Sequence, residues 1–282
     1  MGHYYYLIAG LSDISLDDTK AAVTVESFRT EVYEALDAAD RKVMDLLLME
    51  TDCRNLISML RDGNLADDAS VGLMSAARFE ELIAGVKAQE APAGDVPAFM
   101  YRFVEEWQNE SWREYAAFAE DRLWSLFYEY AMNCSNALVR RWYEFNLDLN
   151  NILAGITART YGLDMQKVIV GSNATAQALR TSGARDWGLS QELDFFDDVV
   201  RLLDEDDLAQ RERKTDLLRW QWLEDNTFFN YFTVERLFSY MVRLGMVERW
   251  TSLDKERGQQ LFRQLIGDLK EQTEVPEEFK TN

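Results

Sequence analysis

From residue 24 onward, apolar side chains return every three or four positions, the spacing that gathers them on one face of a helix. "VESFRTEVYEALDAADRKVMDLLLMETDCRNLISMLRDG" predicts a short helix, a break near Asp37–Asp40, and then a helix of about 20 residues stopped by Gly63. "SAARFEELIAGVKAQ" gives a third. A second block follows as "AFMYRFVEEWQNES", "WREYAAFAEDRLWSLFYEYAMN" and "NALVRRWYEFNLDLNNILAGITARTYG", closed by an irregular stretch at "LDMQKVIVGSNATAQALRTSGARDWG". The last block opens at Ser190, an N-cap residue before "QELDFFDDVVRLLDED". It continues through "LLRWQWLEDNTFFNYF", "TVERLFSYMVRLGMVERW" and "DKERGQQLFRQLIGDLKEQ".

Only two runs have strand character, "YYYLIAGL" (4–11) and "KVIVG" (167–171). "EAPAGDVP" (90–97), with two prolines and a glycine, marks a linker. The pattern therefore predicts an all-α chain of three successive helical-bundle units, 1–95, 96–186 and 187–282, each near the usual domain size.

Composition narrows the function. Fifty acidic against thirty basic residues leave a net charge of −20. A phosphate-binding surface needs clustered Lys and Arg, so a nucleic-acid partner is not expected. The same acidity suits solubility or attraction to a basic partner. Cys53 and Cys134 are the only cysteines and read as reduced thiols. No apolar run reaches the length of a membrane span, and the first residues lack a basic leader region, so a cytoplasmic location is expected. Gly2 fails a myristoylation pattern because position 6 is Tyr.

Candidate chemistry is sparse. His3 is the one histidine, which removes imidazole-based nucleophilic machinery and zinc sites built from His and Cys. No phosphate-cradling glycine loop and no nucleophile elbow occurs. Acidic runs such as Asp197–Asp198 and "DEDD" (204–207) read as solvated faces, and Trp220 and Trp222, interleaved with Leu, read as core. No catalytic residue, cofactor or metal site is expected.

One polar element repeats. "TDCRNLISMLRDGN" carries Asp52, Asn55 and Arg61 within an apolar helix, and "NLDLNNILAGITARTYG" carries Asp148, Asn151 and Arg159. On a helix the Asp and Asn of each set lie about 60° apart, on the face that also bears Leu56 or Ile152. Arg159 returns to within about 20° of Asp148, whereas Arg61 lands opposite Asp52. Either these residues flank the seam and face water, or they are buried, hydrogen-bonded and fix how helices cross within each unit. Recurrence with matching aliphatic neighbours favours an internal repeat.

The pattern Asp-x-x-Asn-[Leu/Ile] followed by aliphatics and Arg resembles the C subunit of V/A-type rotary ATPases, subunit d of the eukaryotic enzyme. Asp52, Asn55, Leu56, Leu60 and Arg61 match it position for position; Asp148, Asn151 and Ile152 match its start, with Arg159 two residues late. "VERLFSYMVRLGMVERW" has the aromatic and Arg content of the last repeat but no Asp-x-x-Asn. The opening "YYYLIAGLSDISLDD" is similar to a bacterial family encoded with V-type ATPase genes.

The resemblance implies a quasi-three-fold funnel of helical units. It would be a non-catalytic central-stalk adaptor between the rotor-ring subunits and the central-axle subunits, peripheral to the cytoplasmic face of the membrane through protein contacts. The repeat residues would then be structural, and the acidic surface would meet basic loops of the ring or axle. Two rivals remain. One is an acidic all-helical scaffold or regulator unrelated to a rotary motor, with one continuous core. The other is a carboxylate-based hydrolase or lyase using a divalent cation.

Overall fold

The computed structural model describes residues 4–65, 71–91 and 93–273, with side chains described through residue 254. Gly2, His3 and Pro92 lie outside the described residues. The chain is all-helical, and no strand occurs among the described residues.

Among the described residues, twelve α-helices follow one another. The first block holds α1 (Tyr5–Ala9), α2 (Val25–Ala35), α3 (Ala38–Asp62) and α4 (Ala76–Lys87). The second holds α5 (Ala98–Gln108), α6 (Ala119–Ala131), α7 (Ala137–Tyr161), α8 (Met165–Val168) and α9 (Ala174–Thr181). The third holds α10 (Phe196–Leu202), α11 (Leu208–Thr227) and α12 (Val234–Thr273).

Local chemistry sets most of these limits. The Thr24 hydroxyl accepts from the Ser27 amide while Ser27 Oγ accepts from the Thr24 amide, so each satisfies an orphan donor at the start of α2. Asp37, Ser75, Asn136, Asn173 and Asp207 cap α3, α4, α7, α9 and α11 with side-chain oxygens. The two longest helices of the first two blocks end alike. Gly63 and Gly162 adopt left-handed φ of 75° and 67°, which a residue with a Cβ reaches only at a cost.

Several expected elements differ. "YYYLIAGL" is helical, as α1, rather than a strand. "KVIVG" has no strand partner either: α8 ends at Val168, and the Asn151 side chain takes both backbone hydrogen-bonding groups of Val170 that a ladder would have used. The helix expected from Trp112 begins only at Ala119. Residues 111–114 form a 3-10 turn, and the Ala117 amide is drawn away to the Lys167 carbonyl at 3.1 Å. The irregular stretch 163–188 contains α8 and α9. Ser190 is not an N-cap; its hydroxyl donates to Asp186 at 2.5 Å within a tight turn, and α10 starts at Phe196. The two segments expected after residue 233 run as one helix of 40 residues, α12.

Buried apolar residues from Tyr4 to Trp250 form one connected core cluster through all three blocks. Trp142, Trp187, Trp220 and Trp250 are buried within it. α4 and α5 pack together across residues 90–97, where the Tyr101 hydroxyl donates to the Glu90 carbonyl at 2.6 Å. The third block returns to the first, with α12 packed on α2 and α3.

Candidate functional site

The Asp and Asn of both copies are buried, whereas Arg61 and Arg159 are exposed. Asp52 on α3 lies at 0% exposure and accepts the backbone N–H groups of Leu73 (3.0 Å) and Met74 (3.2 Å). Arg29 on α2 donates to the carbonyls of Val71 and Gly72, each at 3.3 Å, so the loop entering α4 is gripped from two sides. Burial pushes the Asp52 carboxyl up while the two amides hold it down. Gly72 is required by closeness: a Cβ there would come within 1.9 Å of the Asp52 carboxylate. Asn55 is buried beside it.

The second copy grips a second loop. Asp148 on α7 accepts from Asn173 Nδ2 at 2.7 Å and from the Thr175 side chain at the start of α9. Its carboxyl is pushed up to about 6, chiefly by burial. Asn151 accepts the Val170 N–H at 2.9 Å and donates to the Val170 carbonyl at 2.7 Å. Arg180 then holds the carbonyls of Ile169 and Gly171, as Arg29 holds those of Val71 and Gly72.

The two arginines of the motif do different jobs. Arg61 is exposed and pairs with Glu120 at 2.5 Å, joining α3 to α6. Arg159 donates to the carbonyls of Ala184 and Arg185 and stacks over Trp187, 3.8 Å from the ring centre.

The last block contributes a third tie that the sequence motif misses. Glu248 on α12 accepts the N–H of Val25, the first residue of α2, at 2.8 Å. The three acids Asp52, Asp148 and Glu248 are spaced by 96 and 100 residues, and Thr251 stands three residues after Glu248, where Asn55 and Asn151 stand after Asp52 and Asp148. Thr251 does not act as Asn151 does, because its hydroxyl donates back to the Val247 and Glu248 carbonyls of its own helix, so only the acid is shared.

α3, α7 and α12 border a half-open hollow of about 1090 Å³, lined also by residues of α2, α6 and α11. Its polar groups are cross-linked between blocks. Glu50 on α3 accepts from the Tyr143 hydroxyl on α7 at 3.0 Å, and Arg54 sits one helical turn on, 3.9 Å from the same carboxylate. Burial pushes Glu50 up, and Arg54 opposes it. Tyr128 is pushed up to about 12 by burial and by the nearby Glu50 charge.

From α11, Arg219 donates to Asn146 (2.9 Å) and Asn150 (3.0 Å) on α7 and pairs with Asp216 at 3.2 Å. Asp216 also accepts from Trp250 Nε1 at 2.9 Å and pairs with Arg249, tying α11 to α12. Four arginines (29, 54, 219 and 249) face five acids in this lining, so the hollow is near charge balance inside a strongly acidic chain. Its carboxylates are mostly committed to arginine, tyrosine or amide partners, an arrangement for holding elements together. Among the described residues, no group of three or more His, Cys, Asp or Glu is placed to hold a metal ion.

Residues 1–273 match the model of a family described as "Protein of unknown function (DUF2764)". The chain belongs to the DUF2764 family. No curated protein and no solved structure matches it. Among the described residues of this DUF2764 protein, no helix is long and apolar enough to cross a membrane.

Proposed function

We propose that this DUF2764 protein is a non-catalytic adaptor of a V/A-type rotary ATPase, linking the membrane rotor ring to the central axle on the cytoplasmic face. One observation carries the reading. Each of three long helices, one per block, borders the same hollow and carries an acid that ties down the start of a helix: Asp52 before α4, Asp148 at α9 and Glu248 at α2. Ties of this kind, the last returning from α12 to α2, support a funnel closed by its last unit onto its first. The near-balanced lining of the hollow would not repel a partner segment, while the acidic exterior favours basic partner surfaces and salt-sensitive association.

The test is a tagged pull-down from native membranes solubilised in mild detergent, with recovered chains identified by mass spectrometry. Recovery of rotor-ring and axle subunits, at one copy of this chain per complex, is the expected result. Recovery of the chain alone at low salt overturns the reading. The continuous core from Tyr4 to Trp250 favours a second reading, a helical scaffold or regulator unconnected with a rotary motor, and that outcome would select it.

A further inference from the structure

Two segments without a charged residue, 4–12 and 227–234, meet at one corner of the molecule. The Tyr4 amide donates to the Phe232 carbonyl at 2.9 Å, and the Tyr5 ring lies 4.5 Å from that of Phe232. Around this junction Tyr5, Tyr6, Phe228, Phe229 and Tyr231 are between 55% and 92% exposed. At about 200 Å² per aromatic side chain they leave on the order of 700 Å² in water, and Tyr6, Tyr5, Phe232 and Tyr231 join through successive ring contacts.

Such a surface has a solvation cost that isolated exposed aromatics do not explain, and Tyr and Phe are the side chains enriched where protein interfaces desolvate. Acids on one side of it favour an occupant with a basic rim. Tyr4 donates its hydroxyl to Asp40 at 2.6 Å, and exposed Asp37 lies alongside. A second copy of this chain would bring two charges of −20 together, and an anionic bilayer would be repelled in the same way.

We infer that this aromatic corner docks a protein whose surface has an apolar centre and a basic rim. The corner is separate from the hollow, and only the naming of the partner as a rotary-ATPase subunit rests on the adaptor reading. The two can fail independently.

The test places the photocross-linker benzoylphenylalanine at Tyr6, at Phe229 and, as a control, at exposed Leu217 on α11, in the full chain expressed in its native host. Tyr6 and Phe229 are expected to capture the same single protein, and Leu217 is not. The captured protein, purified, is expected to bind the unlabelled chain, more weakly as salt rises, and about thirtyfold more weakly with the Tyr6→Ser/Phe229→Ser variant. The same variant should unfold at the wild-type temperature, since both side chains are largely in water. Capture of lipid, of a second copy or of nothing overturns the inference, as does unchanged binding by the variant. Capture of a protein outside the rotary ATPase keeps the corner and takes from it the rotary-ATPase partner, while the adaptor reading stands or falls on the pull-down. Recovery of the ATPase with wild-type strength by the variant does the reverse.

Discussion

Asn151→Ala is the sharpest test of the ties that hold the loops. The wild-type amide makes two hydrogen bonds to Val170, one in each direction, at 2.9 and 2.7 Å. Alanine removes both and leaves a half-buried N–H and C=O on a stretch with no strand neighbour. A net loss of about 1 kcal/mol per bond, plus incomplete rehydration of the two backbone groups, gives about 2–3 kcal/mol. At roughly 2–4 °C per kcal/mol for chains of a few hundred residues, the melting temperature should fall by about 5–10 °C. Urea unfolding followed by circular dichroism and tryptophan fluorescence should show a lower midpoint with an unchanged slope, since the surface exposed on unfolding is the same. Asn151→Asp keeps an acceptor for the Val170 N–H but sets a carboxylate against the Val170 carbonyl, so at neutral pH it should cost at least as much as alanine and less at pH about 4, near the ordinary Asp pKa. A loss below about 0.5 kcal/mol for alanine, the scatter of ordinary surface substitutions, would show that water replaces the amide and that Val170 is not held by it.

Asp148→Asn should behave in the opposite sense with pH. The folded pKa near 6 stands above the usual carboxylate value, so the native state holds the extra proton between about 4 and 6 and loses stability as pH rises through that window. The variant, which keeps an acceptor for Asn173, should therefore be more stable than wild type at pH 7 and no more stable at pH 4; differential unfolding at the two pH values reads this directly. Gly72→Ala drives a methyl into the Asp52 carboxylate and should cost about 1–3 kcal/mol, the range for an overpacked site, seen as a lowered denaturation midpoint. A thiol reagent should label only half-buried Cys134 in the native protein, and slowly; Cys53, buried and with its thiol pushed well up, should react only after unfolding.

The helices were legible because their signals are local. Apolar spacing, Asp37, Ser75 and the left-handed glycines Gly63 and Gly162 each act within a turn of their own position. The strand reading of "KVIVG" failed for a reason no propensity contains: β-branched residues favour pleated backbone, yet Asn151, 19 residues away, satisfies Val170 from the side. The motif residues could be named but not their task. Asp52 and Asp148 hold loops entering the next helix, and that depends on where residues 72–74 and 173–175 come to lie. Glu50 carries no mark in the sequence, since its partner Tyr143 lies 93 residues on, and the Arg219 bridge to α7 spans more than 60. Nothing in a single sequence relates positions so distant once the residue types cease to repeat, as when Glu248 ties down the start of α2.

The bond from the Val25 amide to Glu248 also sets a schedule for synthesis. Its two ends are 223 residues apart, and at about 5–20 residues per second the ribosome needs roughly 10–45 s to span them. Throughout that interval α2 and α3 exist without the helix that covers them, their apolar faces open to the cell. The first block thus emerges first and matures last. A nascent chain of this protein should hold a chaperone until α12 has cleared the exit tunnel, and truncations that remove α12 should aggregate rather than leave two tidy bundles behind.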